Sequence, residues 1–525
     1  GAGEWPTYNP GMESSAALVL TGGILPTSPH AETVVLREGV ITWVGRFEER
    51  PEWCHEAHTW DLAGCALLPG FIDGHTHFVH EGLRALGLRT QLAESGRSDA
   101  LELLAEAVRA TPAGTWAIGV GWDESTWEPA QRLSRAELDR IAPHTPLAAI
   151  RVDGHLAIVN RVGLDKLPPG IDARQVDSES GSLLEEAAFT LSRSTLPATE
   201  MLVEGLCEAS RTAHRLGVTS VHAMAAPAEL RAYVAARRLR EMRVTLYPEE
   251  PLLNSLRALG IDQGFGDPWL RLGGIKLFAD GSIGAANAAV HAPFADTGGR
   301  GRLNHTDEHL RSFLRAAEEA GMPTAVHAIG DRAIEQVISA HEAVGTSRTL
   351  RHRIEHFELP REGHVERAAA LGLWLSMQPN FVGRWSGPDS FYERRLGAER
   401  DRTSNPHATI AAQGLPLVFG SDGMPMGPLL GIHGAVNAPY VGQRLSVADA
   451  LHAYTAAGAA ASFEEESKGE IAPGHIADLV VLNGNPVATP GRIRELRVEM
   501  TFLGGKVVYQ HPESASRWPL PSIPG

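Results

Sequence analysis

Short apolar runs broken by turn residues open the chain. Ala17–Thr21, Thr33–Leu36 and Val40–Val44 alternate with Gly-Gly, Pro and Glu-Gly, the pattern of brief β-strands joined by tight turns. The far end reads alike over Ala477–Leu482, Glu499–Leu503 and Lys506–Tyr509. Strands at both termini predict one small β-sandwich built from residues 1–65 and 471–525, with the main domain at 66–470 between them. The tail from Gln510 onward is polar and Pro-rich, and it predicts irregular structure.

Between those ends, β-type runs alternate with helical stretches, the order of a parallel sheet or barrel. Predicted strands are Val218–His222, Val244–Tyr247, Gly274–Phe278, Pro323–His327, His352–His356, Trp374–Gln378 and Pro416–Gly420. With the run Gly70–His80 they make eight, the number a (β/α)8 barrel needs. Ala66–Leu68 reads as the apolar lead-in to that first strand. Asp307–Ala320 and Ala333–Val344 carry apolar residues at helical spacing. Residues 82–205 are too long for one crossover. They contain a helical stretch (Leu101–Ala110), two β-like runs (Trp116–Val120, Leu147–Val152) and a loop-rich part (Leu167–Gly181), and they predict an insertion over the mouth of the barrel, placed to act as a lid.

Composition narrows the partners. A formal net charge of −16 argues against nucleic-acid backbones and anionic membrane surfaces. Three scattered cysteines (Cys54, Cys65, Cys207) make neither a disulfide framework nor a thiolate zinc site, so a reducing, cytoplasmic setting is expected. No run approaches the ~20 apolar residues of a membrane span, and GAGEWPTYNP shows no signal-peptide pattern. The expected partners are a small molecule and, at most, a second copy of the chain in a homodimer.

The chemistry-bearing residues gather at predicted strand ends. In GFIDGHTHFVH, alternation along a strand points His75 and His77 the same way. Lys276, His327, His356 and Asp422 lie at or near the C-terminal ends of later strands, and barrel strand ends converge on one mouth. Four imidazoles and a carboxylate suit a pair of borderline divalent ions such as Zn²⁺. Lys276 lies in the doubly buried run Gly-Ile-Lys-Leu-Phe, so it must be paired, deprotonated or modified. A neutral amine can add carbon dioxide to give a carbamate that bridges two metals; a Schiff-base lysine is the competing reading and leaves the histidines unexplained.

These residues sit in LLPGFIDGHTHF, GGIKLFADGSIG, VHAIGDRAIEQVI, RIEHFEL, SMQPNFV, FGSDGMP and EIAPGHIADLVVLNGNP. In that order, over nearly the whole chain, the sequence resembles the amidohydrolase superfamily and its YtcJ-like branch of N-acyl amide hydrolases. The resemblance implies a metal-bearing (β/α)8 barrel with a sandwich from both termini. It implies His75 and His77 on one metal, carboxylated Lys276 bridging, His327 and His356 on the other, and Asp422 as ligand and proton shuttle. One departure stands out: where the branch continues Asp-Gly-Ser-Leu-Gly-x-Arg-Thr-Ala, this chain has Ala286 and Asn287. A missing arginine implies a missing anion clamp, hence a substrate that is neutral near the scissile bond.

The expected function is therefore hydrolysis of a linear C–N amide-type bond, such as an N-acyl or N-formyl amide. A water shared by two metals supplies the nucleophile, and Asp422 carries its proton to the leaving nitrogen. The same machinery would serve a cyclic amide, ester or carbamate hydrolase or a deaminase; a barrel that only binds a ligand is the alternative of another class. Trp122, His155, Asp280 and His222 are the candidate substrate-facing residues, each with packing or a turn as its structural counterpart. Asp73 is expected behind the metal ligands or in the barrel interior, Asp331 in a helix N-terminal turn, and Glu355 facing away from His356. Trp385 and Tyr392 are expected to wall or pack the pocket.

Overall fold

A computed structural model describes residues 17–93 and 95–519. The first sixteen and last six positions, which the expected terminal units include, lie outside the described residues. Eight parallel strands carry the central unit: β1 (Phe71–Thr76), β2 (Val218–Ala225), β3 (Arg243–Pro248), β4 (Ile275–Phe278), β5 (Thr324–Ala328), β6 (Arg353–His356), β7 (Trp374–Met377) and β8 (Leu417–Phe419). They fall in two sheets, one holding β1 to β3 and the other β4 to β8. Every residue of β1, β2, β5 and β6 is buried, as expected where helices cover one face and packed side chains fill the other.

The two seams between the sheets matter for function. At one, Glu249 and Lys276 form a parallel bridge just past β3. At the other, β1 meets the end of β8, and the Asp422 N–H donates to the His75 carbonyl at 2.8 Å. Only glycine allows that approach. A Cβ on Gly74 would lie 2.4 Å from a Val418 methyl, and one on Gly420 would lie 2.3 Å from the His75 nitrogen. Closure of the barrel thus presses His75 against Asp422.

Two four-stranded sheets come from the chain ends. Ala17–Thr21, Thr33–Arg37, Val40–Gly45 and His58–Asp61 form one; Ala66–Pro69, Leu479–Leu482, Val498–Leu503 and Lys506–Gln510 form the other. Leu20, Leu36 and Trp60 of the first share an apolar core with Leu67, Val481 and Phe502 of the second. Ala66–Leu68 is therefore not the lead-in to β1: it pairs antiparallel with Leu479–Leu482, and the strand lies beyond the boundary drawn at 65. Nor is the tail simply irregular. Gln510 ends a strand, and Trp518 is buried in the same core with its indole N–H on the Asp61 carbonyl at 2.8 Å.

Residues 90–184 form a separate six-stranded sheet. The limits drawn at 82 and 205 fall inside helices, Phe78–Ala85 and Thr199–Arg215, both of which flank the barrel. Helices Asp307–Glu319 and Asp331–Val344 lie where the periodicity places them. Among the described residues no helix is long and apolar enough to cross a membrane.

Candidate active site

The strand ends bring the six predicted ligands together. His75, the penultimate residue of β1, has its Nε2 3.5 Å from Asp422 Oδ1, and His77 Nε2 is 3.4 Å from the same oxygen. His77 is not on the strand; it precedes the helix Phe78–Ala85, so its aim comes from the turn and not from β-alternation. The His356 ring centre lies 4.9 Å from that of His75 and 4.5 Å from that of His327. Donor atoms of His75, His356 and Asp422 all lie within 4.8 Å of one another. Lys276 is fully buried, its Nζ 4.6 Å from the centre of the Phe278 ring.

Three of the four imidazoles are held by a second nitrogen, the arrangement that orients a metal ligand. His75 Nδ1 donates to Glu355 at 2.5 Å, His356 Nδ1 to the Gln378 side-chain oxygen at 2.7 Å, and His327 Nε2 to the Gly281 carbonyl at 3.1 Å. Burial, with Lys276 nearby, pushes His75 down to about 4 against the pull of Glu355. Burial first, then neighbouring imidazoles, hold His77, His327 and His356 well below the usual value. All four rings are neutral, with lone pairs to give. Burial also lowers Lys276 to about 8, offset by Glu355 and Asp422. His75 Nε2 and Lys276 Nζ are buried without a hydrogen-bond partner among the described residues. A protein seldom leaves such atoms idle, and a divalent cation fits the donor set.

Sequence alternation misplaced Glu355. It faces His75 and binds Arg353 twice, at 2.8 and 2.9 Å, while His356 has φ 74° and turns back to the same mouth. That left-handed residue ends the strand, so the period of two no longer applies. Burial alone would raise the Glu355 carboxyl, yet Arg353 and His75 hold it well below the carboxylate range. Glu355→Gln is expected to weaken metal affinity by about 10–100-fold, measured by competition with a chelator; unchanged affinity would remove the orienting role. Gln378 and Arg353 escaped notice for the same reason as Glu355: they act through another side chain and carry no motif of their own.

Three of the other candidates are corrected. Trp122 is fully buried, stacked on Trp127 at 5.9 Å, with its indole N–H on the Ala149 carbonyl at 3.1 Å; it packs the insertion. His222 is equally buried and accepts from Arg353 at 2.9 Å beneath the site. Asp280 does not face substrate either. It collects the N–H groups of Ala289, Ile329 and Gly330 at 2.8–3.0 Å, so its work is to fix the loop after β5. Asp73 likewise holds Ser421 and the His75 N–H, setting the turn that presents Asp422. Asp331 starts its helix and accepts from His291. Trp385 and Tyr392 pack an aromatic cluster with Phe381 and Phe391, and Phe381 stacks beside His356.

His155 does reach the site. Its ring centre is 5.1 Å from His327, and it lines a cavity of ≈ 190 Å³ with His75, His77 and Asp422. Burial opposes its charge, but Glu185 at 3.0 Å and then Asp153 carry its pKa up to about 9. Asn287, at the departing position, donates to that Glu185. The neighbouring Gly284 leaves room for Arg151, which is tied to Glu124, Asp153 and Asp123 at 2.9, 2.7 and 3.4 Å.

A TIM-barrel-type α/β fold with a buried cluster of neutral imidazoles, a lysine and an aspartate at its strand ends defines a metal-dependent hydrolase. A sequence profile of the amidohydrolase family matches residues 58–509. The chain belongs to that family, and to its YtcJ-like members. It is 29% identical to the putative amidohydrolase YtcJ of Bacillus subtilis over 93% of this chain and 97% of that one. It is 27% identical to the N-substituted formamide deformylase of Arthrobacter pascens, over 92% and 96%. An uncharacterized metal-dependent hydrolase from Pyrococcus furiosus superposes with a TM-score of 0.72 at 26% identity, covering 90% of this chain and 100% of its own.

Proposed function

We propose that the protein hydrolyses a linear C–N amide-type bond, in an N-acyl or N-formyl amide, with two divalent cations, Zn²⁺ by donor chemistry, held by His75, His77, His327, His356, Asp422 and a carbamate on Lys276. The observation that carries this reading is the pair of buried, unpartnered donors, His75 Nε2 and Lys276 Nζ, beside Asp422. The formamide specificity named for the Arthrobacter relative supports the bond type. Bound cations would polarise the carbonyl and make water acidic enough to attack near neutral pH. Asp422 takes the proton of that water and passes it to the departing nitrogen, without which an amine leaves poorly. His155 faces the same cavity with a charged N–H to offer the developing oxyanion.

The substrate is neutral beside the bond. Ala286 stands where the branch carries arginine, and nearby Arg151 is already neutralised by three carboxylates. Zinc-loaded, bicarbonate-supplied protein is expected to release amine from a panel of N-formyl and N-acetyl amines and to lose that activity with a chelator. Matched esters, cyclic amides and aminopurines form the control arms. Protein that binds its metal yet releases only ammonia from the last, or nothing from any, would contradict the amide assignment.

A further inference from the structure

The active-site cavity has a polar wall that the hydrolytic chemistry does not use. Arg89 immediately precedes, and Gln91 ends, the short edge strand Thr90–Gln91 of the insertion sheet. Both line the cavity that holds His75, His77 and Asp422. Arg89 is only 5% exposed. Its Nη2 donates to the Thr195 carbonyl and hydroxyl at 3.2 and 3.0 Å, and its other N–H groups have no acceptor among the described residues. The Gln91 amide nitrogen is buried with no acceptor at all among them.

The other arginines of the cavity are neutralised within the protein. Arg84 pairs with Glu81, Arg384 with Asp123, and Arg151 with three carboxylates. Among the described residues Arg89 has no carboxylate partner, and burial alone acts on it, lowering it to about 10. A charge removed from water without a counterion is costly, and an idle buried amide donor adds to that cost. One anion relieves both. The planar guanidinium fork and one amide N–H₂ match the two in-plane oxygens of a carboxylate. A single positive charge balances a carboxylate and leaves a phosphate only half neutralised.

We infer that Arg89 and Gln91 form a carboxylate-binding subsite in the active-site cavity. This rests on the hydrolytic reading and sharpens it: the substrate is an amide, neutral beside the scissile bond, whose far end carries a carboxylate. The absent family arginine is replaced by one from the insertion, which moves the anion anchor away from the residues after β4.

Binding can be measured without turnover. Zinc-loaded protein titrated with phenylacetate and with the neutral, non-hydrolysable benzyl methyl ketone is expected to prefer the acid by about tenfold or more, and Arg89→Met to lose that preference. Gln91→Leu, which retains the cation, is expected to weaken acid binding a few-fold. Ligand-free Arg89→Met is expected to melt no lower than the unmodified protein, because the substitution removes an unpaired buried charge. Acid binding that survives Arg89→Met would place the carboxylate on the metals and overturn the inference. A melting temperature lowered by several degrees would also overturn it, making Arg89 a brace for the helix Glu186–Ser194. If no amide is hydrolysed yet phenylacetate binds through Arg89, the hydrolase reading fails and the subsite stands.

Discussion

Asp422→Asn is expected to lower kcat by about 10²–10⁴-fold while the protein still takes up metal. The substitution keeps the shape of the site. Asp422 has φ 53°, a left-handed conformation that asparagine tolerates well, and its backbone N–H remains free to hold the His75 carbonyl. What is lost is the basic oxygen 3.5 Å from His75 Nε2 and 3.4 Å from His77 Nε2. Burial pushes that carboxyl up to about 7, moderated by Lys276 and His155, so it can both accept and return a proton near neutral pH. Turnover on a responsive amide, with metal content by mass spectrometry, checks the expectation; near-normal kcat in a metal-replete variant would remove Asp422 from the proton path.

Lys276→Met should cost the second ion as well as the rate. The side chain is entirely buried between strand ends, and its amine, lowered to about 8, has a substantial neutral fraction near pH 8. On the proposed reading that neutral nitrogen would form an N–C bond to carbon dioxide and shed a proton, leaving one negative charge to hold two cations. Methionine fills a similar volume without any charge, so the barrel should still close. Expected is a fall from two bound ions to one or none, with activity reduced by about 10²-fold or more. A variant that keeps both ions and its rate would show that the amine is a packed neutral lysine and nothing else.

Both predictions concern residues visible in the sequence, because each lies in or just past a run whose local pattern fixes its place. Buried strands read as apolar stretches whatever surrounds them, and a histidine or lysine at the end of one has few structural excuses. The barrel strands and the grouping of His75, Lys276, His327, His356 and Asp422 follow from that, whereas His77 is aimed by the turn before the helix Phe78–Ala85. Glu355 did not follow, since a single left-handed residue at position 356 cancelled the alternation on which its direction was read. Trp122 and His155 follow similar β-runs of the insertion, yet one packs against Trp127 and the other faces His327. No periodicity separates them; the choice belongs to the sheet that residues 90–184 build and to the way it sits on the mouth.

Local pattern therefore marked out the candidate residues near the strand ends, because strand order and burial are properties of short segments. Their surroundings were set by how distant segments pack. That packing placed Ala66–Pro69 in the terminal sheet, put Asp123, Glu124 and Asp153 around Arg151, and, among the described residues, left Arg89 with no carboxylate partner and the Gln91 amide nitrogen with no acceptor. Charge pairing inside a protein depends on which distant segments meet, and a chain's local pattern holds no record of that.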